Sequence, residues 1–392
     1  MNEVYICSYK RTPIGSYLGK LKDVTAPNLA ATVIRHVIED LKISPNGIDE
    51  VIMGNVLSSG IGQAPARQAA LYANLSYSTQ CMTINKVCGS GLKSVLLANQ
   101  AIKLGDSNII FAGGMENMSQ APFLVKDTRT GMKFGNTSMV DSILHDGLWD
   151  PYNNVAMGSC AEELNKEEKF SREEQDDYAI ESYKKSNFAI ENGIFDKEIA
   201  PIIIKNKKGD LQVSVDEEPL KFNEEKIKLL KPAFNKEGSI TAANASSLND
   251  GAASLLIASK NKADESNIKP VAEIIDHVSY AMEPKYFTKA PIYAIDKLLQ
   301  KTGMNINDID LFEINEAFSC VAIAAMKNLK ISHSKLNIFG GAVSLGHPIG
   351  ASGARILVTL LNGLEKKQKQ FGIACLCIGG GEAAAILIKR VN

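Results

Sequence analysis

SGLKSVLLANQAIKLGDSNIIFAGG at residues 90–114 and SGARILVTLLNGLEKKQKQFGIACLCIGGG at residues 352–381 are one pattern written twice. Each opens on Ser-Gly, runs on as an apolar helical stretch at residues 92–104 or 354–364, and returns as a short apolar strand. The strands, at residues 109–112 and 373–378, close on Gly113-Gly114 and on Gly379-Gly380-Gly381. Self-similarity across half a chain marks a duplicated unit, and here it extends upstream. Ala26-Pro27 starts a helix with Leu29, Val33, Val37, Ile38 and Leu41 on one face. Ala290-Pro291 starts another, with Ile292, Ile295, Leu298 and Leu299, and Gly303 stops it. The strands that follow are Val51-Ile52-Met53, ending at Gly54-Asn55, and Leu311-Phe312-Glu313-Ile314, ending at Asn315. An acidic residue five positions before each asparagine, Glu50 and Asp310, introduces the strand in both copies.

Strands alternating with helices predict parallel sheets covered on both faces, so the fold reads as α/β, two similar domains facing each other across a ligand cleft. The first domain takes residues 1–119 and about 245–269, and the second takes residues 270–392. Between them, residues 120–244 are rich in Lys, Glu, Asp and Asn. One helix stands out there, announced by a capping box at Ser171-Arg172-Glu173-Glu174 and continued by Tyr178, Ala179, Tyr183 and Phe188. This insertion reads as a lid over a long ligand that also makes subunit contacts, or else as a solvated connector.

At 392 residues, 45% hydrophobic and 22% charged, the chain is too long for one core and too apolar for disorder. Lys and Arg number 43 against 44 Asp and Glu, so no global field holds nucleic acid or an anionic membrane. A polyanionic ligand must therefore be bound locally. Residues 1–7 carry no basic region with an apolar core, and no apolar run reaches membrane-spanning length. Seven scattered cysteines then favour free thiols over a disulfide framework, and the expectation is a cytoplasmic protein. Cys375-Leu376-Cys377 is one residue short of the usual metal spacing and has no histidine cluster beside it, so no metal is expected.

Residues 81–87 alternate in part like a strand, and Cys88-Gly89-Ser90-Gly91 turns into the helix. A cysteine at a helix entrance meets unpaired N–H groups and the positive end of the helix dipole, which predicts a lowered pKa and a nucleophilic thiolate. Acyl exchange between that thiolate and a thioester is nearly balanced in energy. Two plainer readings compete. Cys88 is a small buried hydrophobe, or Gly89 to Ser94 cradles a phosphate, with Glu116 ending the next strand but the third glycine of a dinucleotide fingerprint missing.

The second copy supplies partners for a nucleophile. His347, set between glycines and Pro348 ahead of the second helix, corresponds in position to Cys88 and can take its proton. Cys377, beside Gly379-Gly380-Gly381, points toward the same cleft as an acid and base for a carbon acid, and N–H groups of those glycines can hold an oxyanion. Asn315 can donate hydrogen bonds to an enolate oxygen, directly or through water.

On these residues the chain resembles the thiolase family along essentially its whole length. The matching stretches are Asn85-Lys86-Val87-Cys88-Gly89-Ser90-Gly91, Gly113-Gly114-Met115-Glu116-Asn117, Asn315-Glu316-Ala317-Phe318, residues 340–353 and Cys377-Ile378-Gly379-Gly380-Gly381. It looks most like the bacterial acetoacetyl-type members, with Asp146-Gly147-Leu148, Lys231-Pro232-Ala233-Phe234 and Asn244-Ala245-Ser246 also in place. The resemblance implies a thiolase-like fold, a duplicated α/β unit with an inserted loop domain. It also implies ping-pong condensation of two acetyl-CoA to acetoacetyl-CoA and CoA, and the reverse thiolysis. In that scheme Cys88 carries the acyl group, His347 activates it, and Cys377 is the acid/base toward the α-carbon. Asn315 holds a water of one oxyanion hole, and the N–H groups of Cys88 and Gly379 form the other. Coenzyme A thioesters are substrates, with no cofactor implied, and the assembly is a homotetramer or homodimer. Leu148, Phe234, Ser246 and Phe318 would line the pantetheine tunnel, and Lys221 would meet the nucleotide phosphates.

Some positions depart from the acetoacetyl-type pattern. Ala156 stands where those enzymes usually have histidine, Ser247 replaces a usual glycine, and Tyr286-Phe287-Thr288-Lys289 replaces a more familiar segment beside the acyl pocket. Ser319-Cys320 and Glu382-Ala383 also differ, and none of these is one of the four side chains given chemistry above. They leave the acyl-chain length open, so a 3-ketoacyl-CoA thiolase of broader chain length is the alternative. A decarboxylating condensing enzyme would not need Cys377, because decarboxylation supplies the carbanion. A nucleotide-binding module on Gly89 to Ser94 would bind NAD without acylating a cysteine.

Overall fold

The structure is a computed structural model, and it describes residues 2–126, 128–207 and 209–391. The first half runs β1 (Val4–Arg11), α1 (Ala26–Leu41), β2 (Glu50–Gly54), α2 (Pro65–Tyr72), β3 (Gln80–Ile84), α3 (Ser90–Leu104) and β4 (Ile109–Asn117). The inserted stretch contributes α4 (Met157–Glu168) and α5 (Arg172–Glu191). The chain then returns as β5 (Asn249–Ser259), which completes the first sheet. The second half runs β6 (Ala272–Ala281), α6 (Ala290–Thr302), β7 (Leu311–Ile314), α7 (Ser319–Leu329), α8 (Ser352–Lys366), β8 (Phe371–Ile378) and β9 (Glu382–Arg390).

The duplication is visible strand by strand. The first half orders its strands β1-β5-β4-β2-β3, and the second orders them β6-β9-β8-β7, with a parallel bridge from Phe312 to Leu336 where the fifth strand would lie. A short antiparallel pairing, Tyr5 with Glu273 and Ile6 with Ala272, joins the two sheets edge to edge. The expectation of wholly parallel sheets is corrected. Parallel pairing is confined to β2 with β3 and β4 and to β7 with β8, and β1, β5, β6 and β9 run antiparallel to their neighbours. The cause is local for β8 and β9, which are joined by the three-glycine turn with Gly380 at φ 89 and Gly381 at φ 85, too tight for a helical crossover.

The register of the repeat is also corrected by one residue. Asp49, not Glu50, matches Asp310: Asp49 Oδ2 accepts from the N–H groups of Asn108 (2.7 Å) and Ile109 (3.0 Å), and Asp310 Oδ2 accepts from those of Gln370 (3.0 Å) and Phe371 (2.9 Å). Each carboxylate caps the start of the neighbouring strand, so Gly54 is the counterpart of Asn315.

Helices α1 and α2 cover the outer face of the first sheet, and α6 and α7 cover that of the second. Helices α3 and α8 share one apolar core with the inner faces of both sheets. Residues 352–364 of α8 are all buried, as a helix between two sheets must be. The repeated Ser-Gly explains how two helices fit there. A Cβ on Gly91 would lie 2.8 Å from the Ala354 nitrogen, and one on Gly353 would lie 2.4 Å from the Leu92 nitrogen. Each helix thus presents a glycine where the other's backbone crosses, and the crossing brings both helix entrances together.

Candidate active site

Ser90 shapes the turn that delivers Cys88. Its hydroxyl accepts from the Lys86 N–H (2.8 Å) and donates to the Val87 carbonyl (2.7 Å), while Asn85 Oδ1 accepts from the Val87 N–H (2.9 Å). This leaves Val87 at φ 46, a left-handed conformation that costs a β-branched residue about 1–3 kcal/mol. The strained residue lies directly before Cys88, whose side chain is half-buried at the mouth of α3. Lys86 pairs with Glu382, tying this turn to the residue that follows the three glycines of the other half.

Cys88 opens onto a cavity of about 150 Å³ built by three parts of the chain. The second half contributes His347, Gly379, Phe318 and Phe287, and the inserted stretch contributes Leu148, Ala156, Met157 and Phe234, with Ser246 and Ser247 completing the wall. Phe318 makes edge contacts with Phe234 and Phe287, at centroid distances of 6.1 and 6.4 Å. Of the residues singled out in the sequence, Cys88, His347, Gly379, Leu148, Phe234, Ser246 and Phe318 therefore meet in one place. Cys377 and Asn315 are not among the residues that line it. Cys377 is 1% exposed and feels the charge of Cys88, and Asn315 is fully buried. Both polar atoms of the Asn315 side chain lack a partner among the described residues. Lys221 lies elsewhere, pairing with Glu218 at 2.9 Å and bordering a separate cleft with Tyr183, Phe222 and Lys226.

The thiol of Cys88 departs from expectation. Burial pushes its pKa up to about 11, even though the N–H groups of Gly379 and of Cys88 itself reach the sulfur and oppose that rise. The helix starts two residues later, at Ser90, and the apolar cavity outweighs its amides. Burial also holds Cys377 far above the ordinary thiol range, with the neighbouring Cys88, Cys375 and Cys320 adding to the rise. Burial thus favours the protonated form of both sulfurs, so thiolate formation requires a base.

His347 has the form of one. It sits five residues before the start of α8, farther out than the two that separate Cys88 from α3, so the positional match is approximate. Burial, with the charge of Arg355, drives its pKa down to about 3 and keeps the ring neutral. Nδ1 lies 2.6 Å from the Ser352 hydroxyl, which itself donates to the Pro348 carbonyl at 2.9 Å. With its one proton committed to that carbonyl, Ser352 accepts from Nδ1–H, leaving the lone pair on Nε2, which has no partner among the described residues. Glu316 went unnoticed in the sequence beyond its place in a motif. Its carboxylate accepts from Tyr178 (2.7 Å) and Ser182 (2.8 Å) of α5, from Asn337 (2.8 Å) and from the Val343 N–H (3.2 Å), binding the Asn315 loop to the insertion and to the His347 loop. Its signal was an acid directly after Asn315 at the end of a short strand.

Among the described residues no cluster of three or more His, Cys, Asp or Glu is placed to hold a metal ion, and no helix is long and apolar enough to cross a membrane. Residues 4–261 match the thiolase N-terminal domain, and residues 268–390 match the thiolase C-terminal domain. The chain belongs to the thiolase family. An acetyl-CoA acetyltransferase of Yarrowia lipolytica is 50% identical over all of this chain and 98% of that protein. A probable acetyl-CoA acyltransferase of Staphylococcus aureus is 47% identical over the full length of both. Among solved thiolases, the Acat5 thiolase of Ascaris suum, in complex with coenzyme A, superposes with a TM-score of 0.94 at 43% identity, covering 99% of this chain and 100% of that one. The acetyl-CoA acetyltransferase of Bacillus anthracis gives 0.97 at 39% identity, covering 100% and 99%. This thiolase is accordingly an acyltransferase, with the thiolase fold that its resemblance to the family implied.

Proposed function

We propose that this thiolase condenses two acetyl-CoA to acetoacetyl-CoA and CoA, and catalyses the reverse thiolysis, by a ping-pong mechanism. The observation that carries the reading is the meeting, at one apolar cavity, of the Cys88 thiol, the neutral His347 ring and the N–H groups of Cys88 and Gly379. Cys88 Sγ attacks the thioester carbonyl as His347 Nε2 takes its proton, since the thiol is not ionised beforehand. The two N–H groups hold the oxyanion, a role worth on the order of 100- to 1000-fold in rate per donor. CoA departs as a thiolate and takes the Cys377 proton. The Cys377 thiolate then removes a proton from the methyl carbon of the second acetyl-CoA, whose enolate oxygen rests on a water held by Asn315. The carbanion attacks the acyl group on Cys88, whose thiolate leaves and recovers its proton from His347. Protons balance over the cycle, and no cofactor or metal takes part.

Coenzyme A would run its pantetheine past Leu148, Phe234, Ser246 and Phe318, with the nucleotide phosphates near Lys221. Residues 120–244 act in this reading as the lid, since much of the cavity wall comes from them. The exposed Phe123, Met132, Phe134 and Met139 of this stretch support assembly into a homodimer or homotetramer. Seven free thiols suit a reducing cytoplasm.

Brief mixing with acetyl-CoA followed by mass spectrometry tests the scheme. An acetyl adduct is expected on Cys88, removable by CoA and absent from Cys88→Ala, while Cys377→Ala acylates but condenses poorly. An adduct on Cys377 instead would reverse the two roles. Rates with acetoacetyl-CoA against longer 3-ketoacyl-CoAs rank this reading over the broader-chain alternative.

A further inference from the structure

Among the fully buried carboxylates without a role in that mechanism, one lies against the His347 loop. Glu116 is the penultimate residue of β4, and among the described residues its carboxylate is met only by donors. Oε1 accepts from Asn55 Nδ2 (2.8 Å) and the Leu57 N–H (3.2 Å), and Oε2 accepts from the N–H groups of Val56 (3.1 Å) and Gly350 (2.9 Å). Gly350 follows His347 by three residues and belongs to the other half of the molecule. Its lack of a side chain is needed for this contact, because a Cβ there would lie 2.6 Å from Glu116 Oε2 and 2.8 Å from the Met115 carbonyl. No cation pairs with Glu116 among the described residues, so four amide donors alone solvate it.

We infer that Glu116 is a positioning residue: its ionised carboxylate clamps the His347 loop onto the Cys88 half, and its protonation releases that loop. This rests on the reading of Cys88 and His347 given above. Four converging donors fit a carboxylate with four lone-pair sites, whereas a carboxylic acid turns a donor of its own against one of them. The clamp therefore has two states of unequal strength. Burial raises the Glu116 pKa to about 7, against the pull of the N–H groups of Val56, Leu57 and Gly350, so the change falls within the working range of an enzyme. The titratable groups that face it are few. Asp250 on β5 has its own pKa raised to about 6 by burial and adds to the rise at Glu116, and Cys88 lies at the mouth of α3. In the loop it holds, His347 titrates only near 3, and the segment after β2, from Asn55 to Leu57, carries no charge.

The test is the single-turnover rate of Cys88 acetylation by acetyl-CoA, followed across about pH 5.5 to 8.5 in the wild type and in Glu116→Gln, with the affinity for acetyl-CoA measured alongside. The wild-type rate is expected to fall as the pH drops through a midpoint near 7 and to level off about tenfold lower. Glu116→Gln should be about tenfold slower at pH 8, bind acetyl-CoA as well as the wild type, and lack that acid limb. A limb that survives in Glu116→Gln overturns the inference, whether Asp250 or another group carries it. Should the wild type form no Cys88 adduct even at pH 8, the proposed function itself is overturned. Hydrogen exchange keeps the test open if the variant does not fold. In the wild type, protection of residues 346–352, corrected for the intrinsic rate, should drop as pH falls through 7, and protection that stays constant overturns the clamp.

Discussion

Ser352→Ala removes one oxygen atom and with it the hydrogen bond that sets the tautomer of His347. The hydroxyl lies 2.6 Å from Nδ1 and, among the described residues, is the only group bonded to the ring. Its loss leaves Nδ1–H buried without an acceptor, which costs about 1–3 kcal/mol, and frees the ring to carry its proton on Nε2, the wrong nitrogen for accepting the Cys88 proton. At about 1.36 kcal/mol per tenfold, the acylation rate should drop roughly 5- to 150-fold. Stopped-flow acylation by acetyl-CoA, with CoA release trapped by a thiol reagent, measures that step alone. The affinity for acetyl-CoA should hardly change, since Ser352 does not line the cavity. An unchanged acylation rate in a folded Ser352→Ala enzyme would refute either the base role of His347 or its orientation by Ser352.

Gly353→Ala drives a methyl group toward the Leu92 backbone at 2.4 Å, so urea unfolding should show a loss of about 1–3 kcal/mol or more, with Cys88 reactivity reduced in what remains folded. Phe287→Ala, at a wall residue only 3% exposed, should lower stability by about 3–5 kcal/mol and shift thiolysis toward longer 3-ketoacyl-CoAs, as competing-substrate assays would report. Acid should weaken the fold through its buried neutral histidines. Burial lowers His347 to about 3 and His277 to about 4, so below pH 6.5 the unfolded chain binds protons that the native one refuses. Each contributes up to about 1.36 kcal/mol of lost stability per pH unit between its unfolded and folded values, and the slope of urea stability against pH should shrink in His277→Gln. Glu382→Ala, which removes the partner of Lys86 at a partly exposed site, should change stability by less than about 1 kcal/mol, as urea titration can verify.

Much of this molecule was legible in its residues. The Ser-Gly helix starts, the proline-led outer helices and the three-glycine turn all lie where the repeat put them, because each depends on local geometry that a short stretch encodes. The capping box at Ser171 is present as read, with Glu174 accepting from the Ser171 N–H at 2.7 Å. The sheet directions and the one-residue register were not legible. Both depend on which strand finds which neighbour: β5 inserts beside β4 only after the whole insertion, and Asp49 is distinguished from Glu50 only by the amides of Asn108 and Ile109 that face it.

The sequence by itself carried the resemblance to the family and the proposed chemical inventory, since the motifs that hold Cys88, Asn315, His347 and Cys377 are read without coordinates. Protonation was decided by tertiary structure alone. A helix entrance argues for a thiolate and a lone histidine for a titrating base, yet burial makes Cys88 a thiol and His347 a neutral imidazole. Desolvation is a property of everything packed around a group, from the inserted stretch and both halves together, and no run of neighbours along the chain records it.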